Sequence, residues 1–140
     1  MQKTPALLSD IGNNEDASVY QISPDLALVQ TLDFITPIVD SAYHFGAIAA
    51  ANALSDVFAM GAEVINALNI VGFDTCNHDL NILKELLEGA NDKVKECNAL
   101  VVGGHTIEST ELFLDLVLQE KYILVNLLLI ILLKSEIVSF

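Results

Sequence analysis

Basic residues are scarce in this chain: six Lys and Arg stand against 19 Asp and Glu, for a net charge of −13. Phosphate backbones are held by Lys and Arg, so this balance excludes nucleic acid as a partner. An acidic small molecule stays open, because a bound metal ion can cancel the charge of the carboxylates. Cysteine is nearly absent as well. Cys76 and Cys97 lack a CxxC spacing and read as free thiols in a reducing compartment, the cytoplasm. Met1 to Asp10 has no apolar stretch of the signal-peptide kind. Long hydrophobic runs are missing too. Leu127 to Leu133 is too short to cross a bilayer, and Asn126 and Lys134 flank it, so no membrane partner is expected. What is abundant is core material: 53% of 140 residues are hydrophobic, enough for one domain or a piece of a larger one.

Three aspartates stand out against this background. Asp16 lies in Glu15-Asp16-Ala17-Ser18, Asp33 in Thr31-Leu32-Asp33-Phe34, and Asp56 in Asn52-Ala53-Leu54-Ser55-Asp56-Val57. Each sits beside apolar or small residues, where a bare carboxylate is costly to bury. Carboxylates that converge need a cation, and all-oxygen ligation favours a hard one such as Mg²⁺. A lone aspartate would be an ordinary turn or cap residue.

The patterning predicts strands over 17–22 and 26–34 joined by a Ser23-Pro24-Asp25 turn. If Ile22 pairs with Leu26, Tyr20 meets Leu28, Ser18 meets Gln30, and Asp16 falls beside Asp33, where the like charges would repel without a cation between them. Asp40 or Ser41 can cap a helix reaching Met60, with Gly61 after it. Asn52 and Asp56 share one face of that helix. Residues 64–73 read as a strand. A helix follows over 79–97, with Leu80, Leu83, Leu87, Ala90 and Val94 as its buried face. Ala99 to Val102 is a short apolar strand, broken by Gly103-Gly104-His105-Thr106, where the glycines would let a ligand approach the backbone. His44 and His78 read as solvated or capping residues. Residues 112–140 have neither Gly nor Pro and read as a core helix or strand, or as a segment foreign to the fold. The fold class is α/β (α+β): a mixed or antiparallel sheet with helices on one face.

The stretches Leu32-Asp33-Phe34-Ile35-Thr36-Pro37-Ile38-Val39-Asp40, Asn52-Ala53-Leu54-Ser55-Asp56-Val57-Phe58-Ala59-Met60-Gly61 and Gly103-Gly104-His105-Thr106-Ile107-Glu108 resemble the selenophosphate synthetase (selenide, water dikinase) family. The resemblance covers roughly residues 13 to 111. The Asn-x-x-Ser-Asp core is shared across the wider aminoimidazole ribonucleotide synthetase superfamily; the Asp-Phe-x-Thr-Pro stretch and His105 are more discriminating.

The resemblance implies an enzyme that makes selenophosphate from selenide, ATP and water. It assigns Asp16, Asp33 and Asp56 to Mg²⁺. Thr31 and Asn52 would line the phosphate path, and Gly103, Gly104, His105 and Thr106 would contact the nucleotide. It also implies a homodimer built by joining two sheets. Several features depart from the family. Glu15 replaces an Asp and Ala47 an Arg, and the family's Cys/Lys segment has no counterpart before Ile11. The pattern is lost after Glu111, which divides the chain into an ATP- and Mg²⁺-binding domain over 1–111 and an apolar tail over 112–140, as a truncated reading frame would. Two other readings are a related kinase, such as thiamine-monophosphate kinase, and a catalytically inactive dimerisation module.

Overall fold

The structure, a computed structural model, describes residues 4–9 and 15–124. Strands β1 (Ser18–Ser23) and β2 (Leu26–Thr31) form an antiparallel hairpin. Ser23 Oγ donates to Asp25 Oδ1 at 2.6 Å and stiffens its turn. Tyr20 faces Leu28 and Ser18 faces Gln30, as the turn predicts; at the turn itself Leu26 meets Ser23 rather than Ile22, because the ladder is irregular there. On the outer edge of β1, the Leu8 N–H donates to the Val19 carbonyl and the Gln21 N–H to the Ala6 carbonyl, at 2.8 and 2.7 Å.

The second strand is shorter than expected. It stops at Thr31; β2 pairs on its other side with β6 (Phe113–Ile123), and β3 (Phe34–Ile35) resumes that same ladder after a two-residue gap. Helix α1 (Ala42–Ala59) is capped by Ser41, whose Oγ accepts from the His44 N–H. Gly61, at φ 69°, ends it in the left-handed conformation that only glycine adopts without strain.

Strand β4 (Glu63–Phe73) leads into α2 (Leu80–Lys95), capped by Asp79. The buried face of α2 is Leu86, Gly89, Ala90 and Val94; Leu80, expected on it, is 64% exposed, and Leu83 and Leu87 are half-buried. The two helices cross closely because glycine sits at the contact. A Cβ on Gly46 would overlap the Leu86 carbonyl, and one on Gly89 the Tyr43 carbonyl.

Strand β5 (Leu100–Glu108) runs straight through the two glycines instead of breaking at them. It pairs parallel with β4, as a strand–helix–strand crossover requires. The sheet order is β1-β2-β6-β4-β5, so β6 bridges the hairpin and the crossover unit. Residues 113–123, read from sequence with the tail, are thus the middle strand. The Leu127 to Leu133 run lies outside the described residues. Both helices cover one face, over Val29, Ala67, Leu114, Leu116 and Leu118. No described helix is long and apolar enough to cross a membrane.

Candidate cation and nucleotide site

The site begins where β2 ends. Thr31 is the last residue of that strand and is buried; its Oγ1 donates to Asp56 Oδ2 at 2.9 Å and lies 3.4 Å from the Asp16 carbonyl oxygen. Asp56 projects from α1. Asn52, one turn earlier on the same face, donates its side-chain amide to Asp33 Oδ2. Asp33 lies in the two-residue break between β2 and β3, and its N–H donates to Asp115 Oδ1 at 3.1 Å. Across this break the strand keeps its register on β6, Thr31 opposite Leu118 and Phe34 opposite Asp115, while the pairing with β1 ends at Gln30. Asp33 reaches α1 there, through Asn52.

Asp33 and Asp56 are therefore each fixed through Oδ2 by one neutral donor. Among the described residues, no protein donor reaches Oδ1 of either. Asp33 and Asp16 are exposed and Asp56 half-buried. None of the lysine ion pairs among the described residues involves these three carboxylates.

Two acids of β6 adjoin them from opposite faces of the sheet, and both escaped sequence reasoning. Asp115 is 2% exposed; burial raises its carboxyl above the usual range, the Asp33 and Leu116 N–H groups partly offset this, and the Asp33 charge adds to the rise. Glu120 is fully buried and neither of its oxygens has a partner; burial and, secondarily, the Asp56 charge push it up to about 8. The signal that could have found them is two carboxylates set among Leu114, Leu116, Leu118 and Tyr122.

Asp16, Asp33 and Asp56 do not meet at one point. Among the described residues, the three ligating side chains with donor atoms all within 4.8 Å of one another are Asp74, Cys76 and Glu108. That group is already satisfied as a loop brace. Asp74 accepts from the Cys76 and Asn77 N–H groups and the Asn77 side chain, which lowers its carboxyl range, and Glu108 accepts from Thr75. Cys76 and Cys97 are both free; burial pushes the Cys97 thiol up.

The glycine segment lies elsewhere. Gly103, Gly104, His105 and Thr106 are exposed on β5, the far edge of the sheet. Register places His105 in one row with Ile70, Asp115 and Phe34, three strand spacings and roughly 14 Å from Phe34. The close approach at Gly104 serves the sheet: a Cβ there would overlap the backbone of Asn69 in β4, whereas one on Gly103 would meet only a Leu68 methyl at 3.6 Å. The structure thus joins Thr31 with Asp56 and the Asp16 backbone, and Asn52 with Asp33. It keeps residues 103–106 apart from both.

The signature of the family described as AIR synthase related protein, N-terminal domain, matches residues 14–120. The chain is 98% identical over 116 residues to the selenide, water dikinase of Campylobacter jejuni subsp. jejuni serotype O:2, covering 83% of this chain and 34% of that protein. The chain therefore spans about a third of that relative's length. Among solved structures, thiamine monophosphate kinase from Aquifex aeolicus superposes with a TM-score of 0.67 at 19% identity, over 76% of this chain and 37% of that one. PurL of T. maritima, complexed with AMPPCP, gives 0.68 at 15% identity, over 78% and 20%. These two likenesses are of fold.

Proposed function

Because the chain belongs to the AIR synthase related protein N-terminal domain family, we propose that it is the cation- and nucleotide-binding part of a selenide, water dikinase. The observation that carries this reading is the pair of held carboxylates. Asp33 on Asn52 and Asp56 on Thr31 each present one free oxygen at the same end of the sheet. All the donors are oxygen, which suits Mg²⁺. Since Asp16, Asp33 and Asp56 do not share one 4.8 Å cluster, they would serve cation positions spread along a triphosphate instead of closing on a single ion. When bound, Mg²⁺ neutralises phosphate charge and leaves positioning to the protein. Thr31 and Asn52 do that positioning by fixing Asp56 and Asp33. Gly103 to Thr106 would contact the nucleotide from the other sheet edge. The transfer from ATP to selenide and water, in the cytoplasm, belongs to the whole enzyme.

We further propose a homodimer formed through the uncovered face of the sheet, where Tyr20, Leu68, Val102 and Ile107 are exposed. Light scattering should show a dimer at micromolar concentration; a monomer throughout would remove this part. The nucleotide claim is tested by titrating ATP and ADP with and without Mg²⁺, then repeating with Asp33→Asn. Binding should need Mg²⁺ and weaken at least tenfold in the variant. Equal binding in every arm would leave only the inactive dimerisation module. The chain alone should show no selenophosphate by phosphorus NMR in an anaerobic assay with ATP, Mg²⁺ and selenide.

A further inference from the structure

We propose that Asp115 is a positioning residue for Asp33: its carboxylate replaces the strand partner that the Asp33 N–H loses between β2 and β3, and so fixes where the Asp33 side chain points. The inference rests on the cation reading of Asp33 given above. Four observations carry it. The β2 ladder to β6 ends at Thr31, paired with Leu118, and resumes only at Phe34, paired with Asp115. The Asp33 N–H inside this gap finds the side chain of Asp115, at 3.1 Å, in place of a backbone carbonyl. Asp115 is 2% exposed, so the bond is shielded from competing water and has a charged or strongly polar acceptor. Lastly, Asn52 holds the Asp33 carboxylate from α1.

Asp33 is thus held at two points, by β6 through its backbone and by α1 through its side chain. With the backbone hold gone, residues 32 and 33 can rotate about their own dihedrals, and the Asn52 bond alone cannot keep the carboxylate in place. What the site requires of Asp115 is an acceptor oxygen at that point, and Asn can supply one in the same shape. This separates positioning from a general need for a buried charge. Residues that orient a ligating group commonly change metal affinity 10- to 100-fold when lost.

The experiment uses the full ¹⁵N-labelled chain with Asp115→Asn and Asp115→Ala, and Asp115→Ser where Ala is poorly folded. Melting temperature and the exchange of β4 amides report on the fold. Hydrogen exchange of the Asp33 amide reports on the proposed bond, and Mn²⁺ titration reports on the site. The Asn variant should keep the Asp33 amide protected and bind Mn²⁺ within threefold of the parent chain. The Ala or Ser variant should exchange the Asp33 amide at least tenfold faster, with β4 amides unchanged, and bind Mn²⁺ about tenfold more weakly. Equal Asp33 exchange in all variants overturns the proposal, as does an Asn variant as impaired as Ala. If the parent chain binds no Mn²⁺, the cation reading falls, while the Asp33 amide still decides whether Asp115 holds it.

Discussion

On the helix-covered face of the sheet, Val29, Ala67, Val71, Leu114, Leu116 and Leu118 are 0% exposed; on the opposite face the same strands leave Tyr20, Leu68, Val102 and Ile107 between 36% and 60% exposed. Both faces carry apolar side chains, and by strand alternation the second also carries Gln30, Gln119 and Lys121. The difference is one of cover. Two helices close the first face; among the described residues no helix covers the second, although Asp115 is buried within it. The acids divide along the same line. Glu120 is trapped under the helices without a partner, while Asp115, by the alternation of β6, lies on the other face and finds the Asp33 N–H.

Substitutions on the two faces should therefore differ sharply. Gly89→Val drives a side chain into the Tyr43 carbonyl and separates α1 from α2. We expect a loss of about 3 kcal/mol or more, read as a chain largely unfolded by circular dichroism at 25 °C. Leu116→Ala leaves a cavity in the covered face and should cost about 3 kcal/mol in urea unfolding. Val102→Ala on the open face should change monomer stability by no more than about 0.5 kcal/mol. Equal effects at these two sites would mean that the faces are not distinct.

Glu120 sharpens the contrast through pH. Its carboxyl is raised from 4.5 to about 8 in the fold, so the native state binds a proton that the unfolded chain releases. The folded state is favoured below pH 4.5 on this account, and the advantage drains away as pH rises towards 8, with a limiting slope of about 1.4 kcal/mol per pH unit. Glu120→Gln should flatten that slope in urea melts taken at pH 5, 6 and 7. An unchanged slope would show that the carboxyl finds an unseen partner. Thr31→Val deletes the hydroxyl bond to Asp56 and should cost about 1 kcal/mol in the same melts, with a larger effect on Mn²⁺ binding.

Much of this arrangement could be read from the residues. Ser41 and Gly61 bracket α1 because capping is local chemistry, and the Pro24-Asp25 turn sets the Tyr20–Leu28 register for the same reason. The polar pair Asn52 and Asp56 on one helix face pointed to a site, and both side chains do bond to the end of β2. Non-local pairing was harder to read. Nothing near Leu32 says that the chain will part from β1 and continue on β6 alone, so the hairpin extrapolation put Asp33 beside Asp16. The two glycines looked like a break because their actual neighbour, the Asn69 backbone, is over thirty residues away in sequence. Leu80 matched a helical stripe, yet as the first residue of α2 it stays 64% exposed, beside an open hollow it shares with Asn69 and Val101. Asp115 and Glu120 were hidden inside a segment whose position in the sheet depends wholly on distant strands.

The placement of β6 also governs the order in which this molecule can become one body. The hairpin and the β4–α2–β5 unit are complete by residue 108, but no ladder joins them until residues 113–123 enter between β2 and β4. Until the chain has been made as far as Ile123, the facing edges of β2 and β4 have no strand to join them. Closure is a single late event between segments far apart in sequence, the kind of contact that slows folding and leaves strand edges open to other chains.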